Sequence, residues 1–514
     1  MHVASKIYAS PLLWLPCELL VQTASYLSPD DLFRLRLTCH HVETFLFATF
    51  SEEFFSDRRF MVTDCLRCLL HISKHPHLSK SLSKLTIGLD RLLSSDALQS
   101  YGLRTGSVNQ PHVKTGVQLR KLGQFADEQN WLVSTGQIQL LLGEALNNLP
   151  NVAEISLRDT TLEGKSSRPG SRKLLVSYGL TTVCRQTGIS LLEDDAIHSL
   201  DRFADMVFSA TLLAVVRAGK QLKAITVDIQ KQNMGLSSSA FVLPQSYVES
   251  FWPTLQALKS LDLSVSFTHS AAGSPVNGSL GFLFWQYHHL FSLLECTPNL
   301  VSLRVRSKGQ SFLEDGIIGW LAHLADLSNG KTVLKSHMYG PFNAIGDHIP
   351  ESRRLRALKE LELGNMIAPV ASISKALLHL AGSLRKLYLH TVVVSVARDD
   401  DELDKNPRSP NAWATIFRRM SGLLNLEELE VCALGHQTPT CSSSGNRHQV
   451  AFLRSDSGAQ SGPRNGLLNA WSYTGGVLVM KSFLLEVAEK TVIICSSCKE
   501  MNPGYMSFED LIDE

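Results

Sequence analysis

The sequence predicts an α+β protein: a short helical segment at the N-terminus, followed by an irregular α/β solenoid. Three observations carry this. Through residues 13–60, apolar side chains recur at three- and four-residue steps, the period of helices. Beyond them the frame apolar-x-x-apolar-x-apolar returns eight times, and its closing alternation suits a strand with one face inward. Stretches of helical period lie between those frames, and strand–helix alternation implies a parallel sheet with helices on its outer side.

The N-terminal segment opens with Leu15-Pro16-Cys17-Glu18-Leu19-Leu20. Pro16 suits a first helical turn, where its missing N–H would be unpaired anyway, and Glu18 complements the positive helix N-terminus. Leu15, Leu19, Leu20, Thr23 and Leu27 then form one stripe. Ser28-Pro29-Asp30-Asp31 breaks this helix and starts another, with Ser28 as cap, Pro29 at the first position and aspartates in the first turn. Leu32, Leu35 and Leu37 continue it, and Val42, Phe45, Leu46, Phe50, Phe54 and Phe55 follow. A segment of roughly fifty residues cannot enclose that much apolar surface by itself. It packs on the rest of the chain or binds a partner.

Leu15, Pro16, Glu18, Leu19, Thr23, Tyr26, Leu27, Asp31, Leu32, Leu35, Cys39 and His40 resemble, in order and spacing, the F-box pattern. Phe60-Met61-Val62-Thr63, His71-Ile72-Ser73-Lys74-His75-Pro76 and Leu85-Thr86-Ile87-Gly88-Leu89-Asp90-Arg91-Leu92 extend the likeness to F-box proteins of the filamentous-fungal type. Two positions depart from the pattern: Thr23 stands where the family usually has Ile, and His40 where it usually has Arg or Lys. The resemblance implies a three-helix F-box over residues 11–60 that docks on a Skp-family adaptor and through it on a cullin. The residues it assigns to adaptor binding are Leu15, Pro16, Glu18, Leu19, Leu20, Leu27, Leu32 and Leu35.

Residues 61–148 read as a helical linker and a first repeat. Cys65, Cys68, His71 and His75 lie on one helix that ends before Pro76, a spacing wrong for folding two ligand pairs around zinc. The repeated frame is centred on Leu85, Ile155, Ile225, Leu261, Leu303, Leu361, Leu387 and Leu429. It resembles the leucine-rich-repeat strand, which implies a horseshoe; strands scattered through another α/β fold are the alternative. Helices are predicted at 138–149, 200–218, 284–294, 317–327, 373–380 and 413–420. Residues 149–434 would form the repeat domain that binds a substrate. The acidic stretch 398–411 reads as a solvated loop, and the Ser/Gly/Pro-rich 435–470 as a flexible insertion. Residues 471–514 form a C-terminal segment ending near Cys495 and Cys498, a lone C-x-x-C.

In this frame the third and fifth positions, and the residue just after it, face the concave side. That face carries Arg304 and Arg306, then Glu360 and Glu362, then Lys386, Tyr388 and His390, then Glu428 and Glu430. Charge alternates from strand to strand, and Glu360 is within pairing distance of Lys386, since neighbouring strands lie about 4.8 Å apart. Two readings follow: cross-strand pairing that keeps the sheet soluble, or a substrate platform anchored by Tyr388.

Composition excludes several classes. A net charge of +1 argues against broad electrostatic binding of nucleic acid. Ten cysteines are too few for a disulfide scaffold in 514 residues. No secretory signal or membrane-length apolar run is apparent, which is consistent with a cytoplasmic or nuclear address. Neither a phosphate-binding loop, a G-x-G-x-x-G turn, an H-E-x-x-H pair nor a G-x-S-x-G elbow occurs. The expectation is a non-catalytic protein without cofactor or metal. The F-box likeness implies a substrate-recognition subunit of a Skp–cullin–F-box ubiquitin ligase that binds an unidentified protein target. An adaptor-binding protein outside any ligase is the alternative, and a metal or redox protein using Cys495/Cys498 a further one.

Overall fold

A computed structural model describes residues 11–92, 116–160, 162–165, 172–175, 178–188, 202–230, 234–242, 247–266, 280–308, 313–314, 316–328, 355–396, 411–438, 447–453, 467–495 and 505–506. It is a mixed α/β protein whose sheet is not closed into a barrel. Two compact units divide the chain: residues 1–198 with 210–220, and residues 199–209 with 221–514. The division falls inside the 149–434 region that the sequence reads as one repeat domain.

The first unit opens with three helices, α1 (Cys17–Ser25), α2 (Pro29–Arg36) and α3 (His40–Phe55). Pro16 stands one place before the first turn of α1. At α2 the local chemistry is as the sequence implies: the Ser28 hydroxyl oxygen accepts from the Asp31 N–H at 3.1 Å, and Pro29 begins the helix. Leu20, Ala24, Leu32, Val42 and Leu46 close a core among these helices. Arg36 lies over the Phe50 ring at 3.5 Å and packs its stem there. The end of this segment is not helical: strand β1 (Asp57–Met61) pairs in parallel with β2 (Lys84–Gly88), and β2 with β3 (Glu154–Arg158). Between them come α4 (Cys65–Lys74), α5 (Leu78–Ser81), α6 (Gly116–Ser134) and α7 (Gln137–Asn147). A hairpin of β4 (Leu162–Lys165) and β5 (Arg172–Leu175) and helix α8 (Leu180–Thr187) follow. The buried Arg59 guanidinium bonds the Asp90 carboxylate at 2.9 Å and the carbonyls of Arg158 and Thr160, joining three strand ends.

Helix α9 (Phe203–Arg217) is shared between the units. The second unit is a ladder of parallel strands: β6 (Ala224–Asp228), β7 (Ser260–Val265), β8 (Ser302–Ser307), β10 (Glu360–Pro369) and β11 (Lys386–Ser395). The short β9 (Leu313–Glu314) pairs with the far half of β10. Strand β11 pairs first with β12 (Glu428–Cys432), then with β13 (Gly435–Gln437). The central residues named from sequence fall in register: Ile225 opposite Leu261, Leu261 opposite Leu303, Leu303 opposite Leu361, Leu361 opposite Leu387, and Leu387 opposite Leu429. A one-residue slip would turn every one of these side chains to the other face.

Helices α10 (Val248–Ala257), α11 (Leu280–Glu295), α12 (Gly316–Ser328), α13 (Val370–Leu380) and α14 (Ala412–Leu423) alternate with these strands. Side chains of α12, α13 and α14 meet Leu361, Leu363, Leu387, Leu389 and Val392 across a small, wholly apolar cavity. Three successive strand segments also share a backbone device. Asn365, Thr391 and Ala433 adopt positive φ of 61°, 55° and 50°, and the ladder resumes after each.

The reading of 435–470 as a flexible insertion needs correction. Its described residues build β13, β14 (Arg447–Leu453), β15 (Leu467–Leu468) and the start of β16 (Ala470–Thr474). Val450, Ala451 and Phe452 are fully buried. Three apolar residues in a Ser/Gly-rich stretch were enough to seat a strand, because it pairs with both β13 and β17 (Thr491–Ile494). Helix α15 (Val477–Lys490) and β18 (Tyr505–Met506) complete the described residues. The loop 398–410 and Cys498 lie outside the described residues, as does Cys441.

Candidate functional site

Each unit presents one surface on which the sequence-assigned residues gather. On the N-terminal helices the sequence-assigned residues separate into two sets. Leu20 and Leu32 are buried, 1% and 0% exposed, and belong to the helical core. Leu27 and Leu35 pack partly against that core. Leu20 and Leu32 are therefore corrected from contact residues to core residues: a side chain already enclosed by Ala24, Val42 and Leu46 has no surface left for a partner. Pro16 and Glu18 are exposed, and Leu15 and Leu19 are 36% and 47% exposed.

The single stripe expected from sequence is thus two. Leu20, Ala24 and Leu27 point inward at four- and three-residue steps, while Leu19 on α1, Leu15 just before the helix and Tyr26 at its C-cap stay exposed. Trp14 (78% exposed), Tyr26 (82%), Phe33 and Leu37 enlarge the outward apolar set, and none of them was in the sequence-assigned contact list. The available signal was arithmetic: α1 and α2 have more large apolar residues than a three-helix core has places.

On the sheet of the second unit, the outward residues of each strand form rows. One row runs Ser260, Ser302, Glu360, Lys386, Glu428, and the next runs Asp262, Arg304, Glu362, Tyr388, Glu430. Every candidate named from sequence, Arg304, Arg306, Glu360, Glu362, Lys386, Tyr388, His390, Glu428 and Glu430, lies on this face at intermediate exposure. Asp262 and Asp228 belong there too. Both obey the positional rule that found the others, applied to the two preceding frames.

The charges are organised. Arg304 donates from Nε at 2.8 Å and from Nη2 to one Glu360 oxygen, and also lies 3.5 Å from Glu362. Arg306 donates to Asp262 at 2.8 Å and approaches Asp228 and Glu362. Gly364 leaves the space that Arg306 crosses: a Cβ there would sit 2.9 Å from the Arg306 Cγ. Lys386 pairs with Glu428 at 2.8 Å rather than with Glu360, its neighbour in register on the other side. The reason is geometric: the Arg304 fork supplies Glu360 with two donors, which a lysine ammonium cannot match.

The electrostatics follow these contacts. Burial alone would lower the pKa values of Arg304 and Arg306, but their carboxylate partners reverse that and raise them. The Lys386 hydrogen bond, with help from Tyr388, holds Glu428 below the usual carboxylate range. Burial, then the hydrogen bond to Glu428, raises the Tyr388 phenol. Cross-strand pairing is therefore realised on this sheet, and it holds Tyr388 in one place.

Elsewhere, the described residues contain no cluster of three or more His, Cys, Asp or Glu side chains placed to hold a metal ion. Cys65 and Cys68 stand on the first turn of α4, and burial raises the Cys65 thiol. Cys495 is buried just after β17. Among the described residues, no helix is long and apolar enough to cross a membrane. No protein-family model matches the chain, and no curated protein matches its sequence.

Proposed function

We propose that this chain is a substrate receptor of a Skp–cullin–F-box ubiquitin ligase. In this reading residues 11–60 are an F-box, and the strand ladder with its covering helices is a leucine-rich-repeat-like horseshoe that holds a protein target. The observation that carries it is the exposed apolar set at and around α1: Leu15, Leu19 and Tyr26 stay exposed beside a core that is already closed. Each large apolar side chain buried on docking would contribute about 1.5–3 kcal/mol at most, against a cost of association of roughly 4–15 kcal/mol, so docking draws on the wider exposed set that includes Trp14, Phe33 and Leu37. The receptor supplies no catalytic group. It raises the effective concentration of its target near the transferring enzyme.

The test is affinity capture of a Skp-family adaptor and its cullin by the full chain, compared with a Leu19→Ala/Tyr26→Ala variant. These side chains lie outside the core, so the variant keeps its fold. Loss of adaptor from the variant supports the reading, and unchanged recovery removes it. Adaptor capture without cullin would assign the chain instead to an adaptor-binding role outside the ligase.

A further inference from the structure

The polar face of the second unit has a composition that selects its occupant. Among the described residues it carries three fixed cations, Arg304, Arg306 and Lys386, and each bonds a carboxylate: Glu360, Asp262 and Glu428 respectively. Three more carboxylates lie there, Asp228, Glu362 and Glu430. Asp228 accepts from the Gln230 amide and lies near Arg306, and Glu362 lies 3.5 Å from Arg304 and 3.8 Å from Arg306. Glu430 forms no ion pair among the described residues. It stands directly across from Tyr388 in the parallel register, one strand spacing of about 4.8 Å away. Six carboxylates against three cations among the described residues leave the face negative, and Glu430 places part of that charge beside the Tyr388 ring.

We infer that this face takes an extended basic segment of a protein partner, one lysine or arginine side chain of which sits between the Tyr388 ring and the Glu430 carboxylate. The inference rests on the receptor reading for its biological sense, and on the geometry for its chemistry. The Tyr388 hydroxyl is tied to Glu428, which fixes the ring. The ring already accepts one guanidinium, with Arg304 at 6.0 Å from its centroid. A ring face and a carboxylate side by side give a cation a quadrupole and a counter-charge at once. Glu428 and Glu430 are two residues apart on one strand, about 6.6 Å, which is also the spacing of alternate side chains in an extended peptide. An acidic or phosphorylated segment is disfavoured, because it would have to break the Arg304, Arg306 and Lys386 pairs and then meet the carboxylates they release.

The experiment measures fluorescence anisotropy of short labelled peptides binding to the purified full chain. One peptide alternates Lys or Arg with Ser, one alternates Asp or Glu with Ser, and one is uncharged. The basic peptide is expected to bind tightest and to weaken as salt rises. Glu430→Gln and Tyr388→Leu are each expected to weaken it roughly two- to tenfold. Glu154→Gln, which removes the same charge from the other unit, is expected to leave binding unchanged. Binding of the basic peptide no tighter than the uncharged one, equal effects of Glu430→Gln and Glu154→Gln, or preference for the acidic peptide would each overturn the inference. Adaptor capture is run on the same preparation. Adaptor retained with no basic-peptide binding removes this inference alone, whereas peptide binding retained with no adaptor capture removes the receptor reading and leaves the face's chemistry standing.

Discussion

The N-terminal helices and the polar sheet face solve opposite problems. On the helices, Trp14, Leu15, Leu19 and Tyr26 leave apolar surface in water with nothing from their own core to cover it. On the sheet, Arg304, Arg306 and Lys386 are already met by carboxylates on neighbouring strands. A partner for the first surface gains by burial alone. A partner for the second must bring what the existing pairs do not supply, which is positive charge. Uncompensated apolar area rewards any partner that buries it, whereas a charge lattice discriminates among partners.

The sharpest way to break this contrast is within the helices themselves. Leu32→Ala should cost about 2–5 kcal/mol, because it empties a site enclosed on all sides. Tyr26→Ala, at 82% exposure, should stay within about 0.5 kcal/mol. Urea unfolding of both variants checks this. Equal losses would mean that Tyr26 is packed in solution and is not available to a partner. On the sheet, Arg306→Leu should cost about 1–3 kcal/mol, less than full burial would imply because the side chain remains 33% exposed. The loss should shrink as salt rises, because screening weakens the pairs that Arg306 makes with Asp262 and Asp228. A loss independent of salt would show that packing over Gly364, not charge, is what Arg306 provides.

Much of the second unit was legible in the sequence, because its period is redundant. The apolar residues of each frame are all buried along the ladder, and five pairings hold the frame centres in register. The six helices expected from periodicity overlap α7, α9, α11, α12, α13 and α14. What failed was local. Strand β1 was hidden because Phe60 and Met61 follow a run of apolar helical residues and carry no turn signal before them. Strand β14 was hidden because its register comes from β13 and β17, on either side of it in space but not in sequence. The split of α1 into inward and outward faces needed to know which neighbour covers which leucine. Leu19 and Leu20 are adjacent and chemically identical, yet one is 47% exposed and the other 1%. The pairing of Lys386 with Glu428 rather than Glu360 likewise turned on hydrogen-bond geometry, which residue order does not encode.

Where the sheet face keeps its charges by pairing them, the buried His436, on the interior strand β13, stays neutral. His436 is 0% exposed and stacks on His448 with ring centroids 5.8 Å apart. Burial, and then the His448 charge, lowers its pKa from 6.5 to about 3. Between these values the unfolded chain binds a proton that the folded chain refuses, so stability rises with pH across the window. Its contribution is intact above pH 6.5 and falls by about 1.4 kcal/mol for each pH unit below it. Urea midpoints at pH 7, 6 and 5 should show that slope, and His436→Phe should flatten it. An unchanged slope in the variant would place the acid sensitivity elsewhere.

The smallest expected effect tests the backbone of the ladder. Asn365 and Thr391 occupy the same left-handed position on adjacent strands, with Gly364 opposite His390 and Met366 opposite Val392. Asparagine tolerates positive φ well, and here its amide also donates to the Ser307 carbonyl at 3.2 Å. Threonine is β-branched, and left-handed backbone costs such a residue roughly 1–2 kcal/mol. If the position is set by the ladder rather than by its occupant, Thr391→Asn relieves part of that cost and raises stability by about 0.5–1 kcal/mol. Thermal unfolding of the single variant reads this directly. A lower midpoint would mean that the Thr391 side chain makes packing contacts worth more than the strain, and that strands β10 and β11 hold the same bend for different reasons.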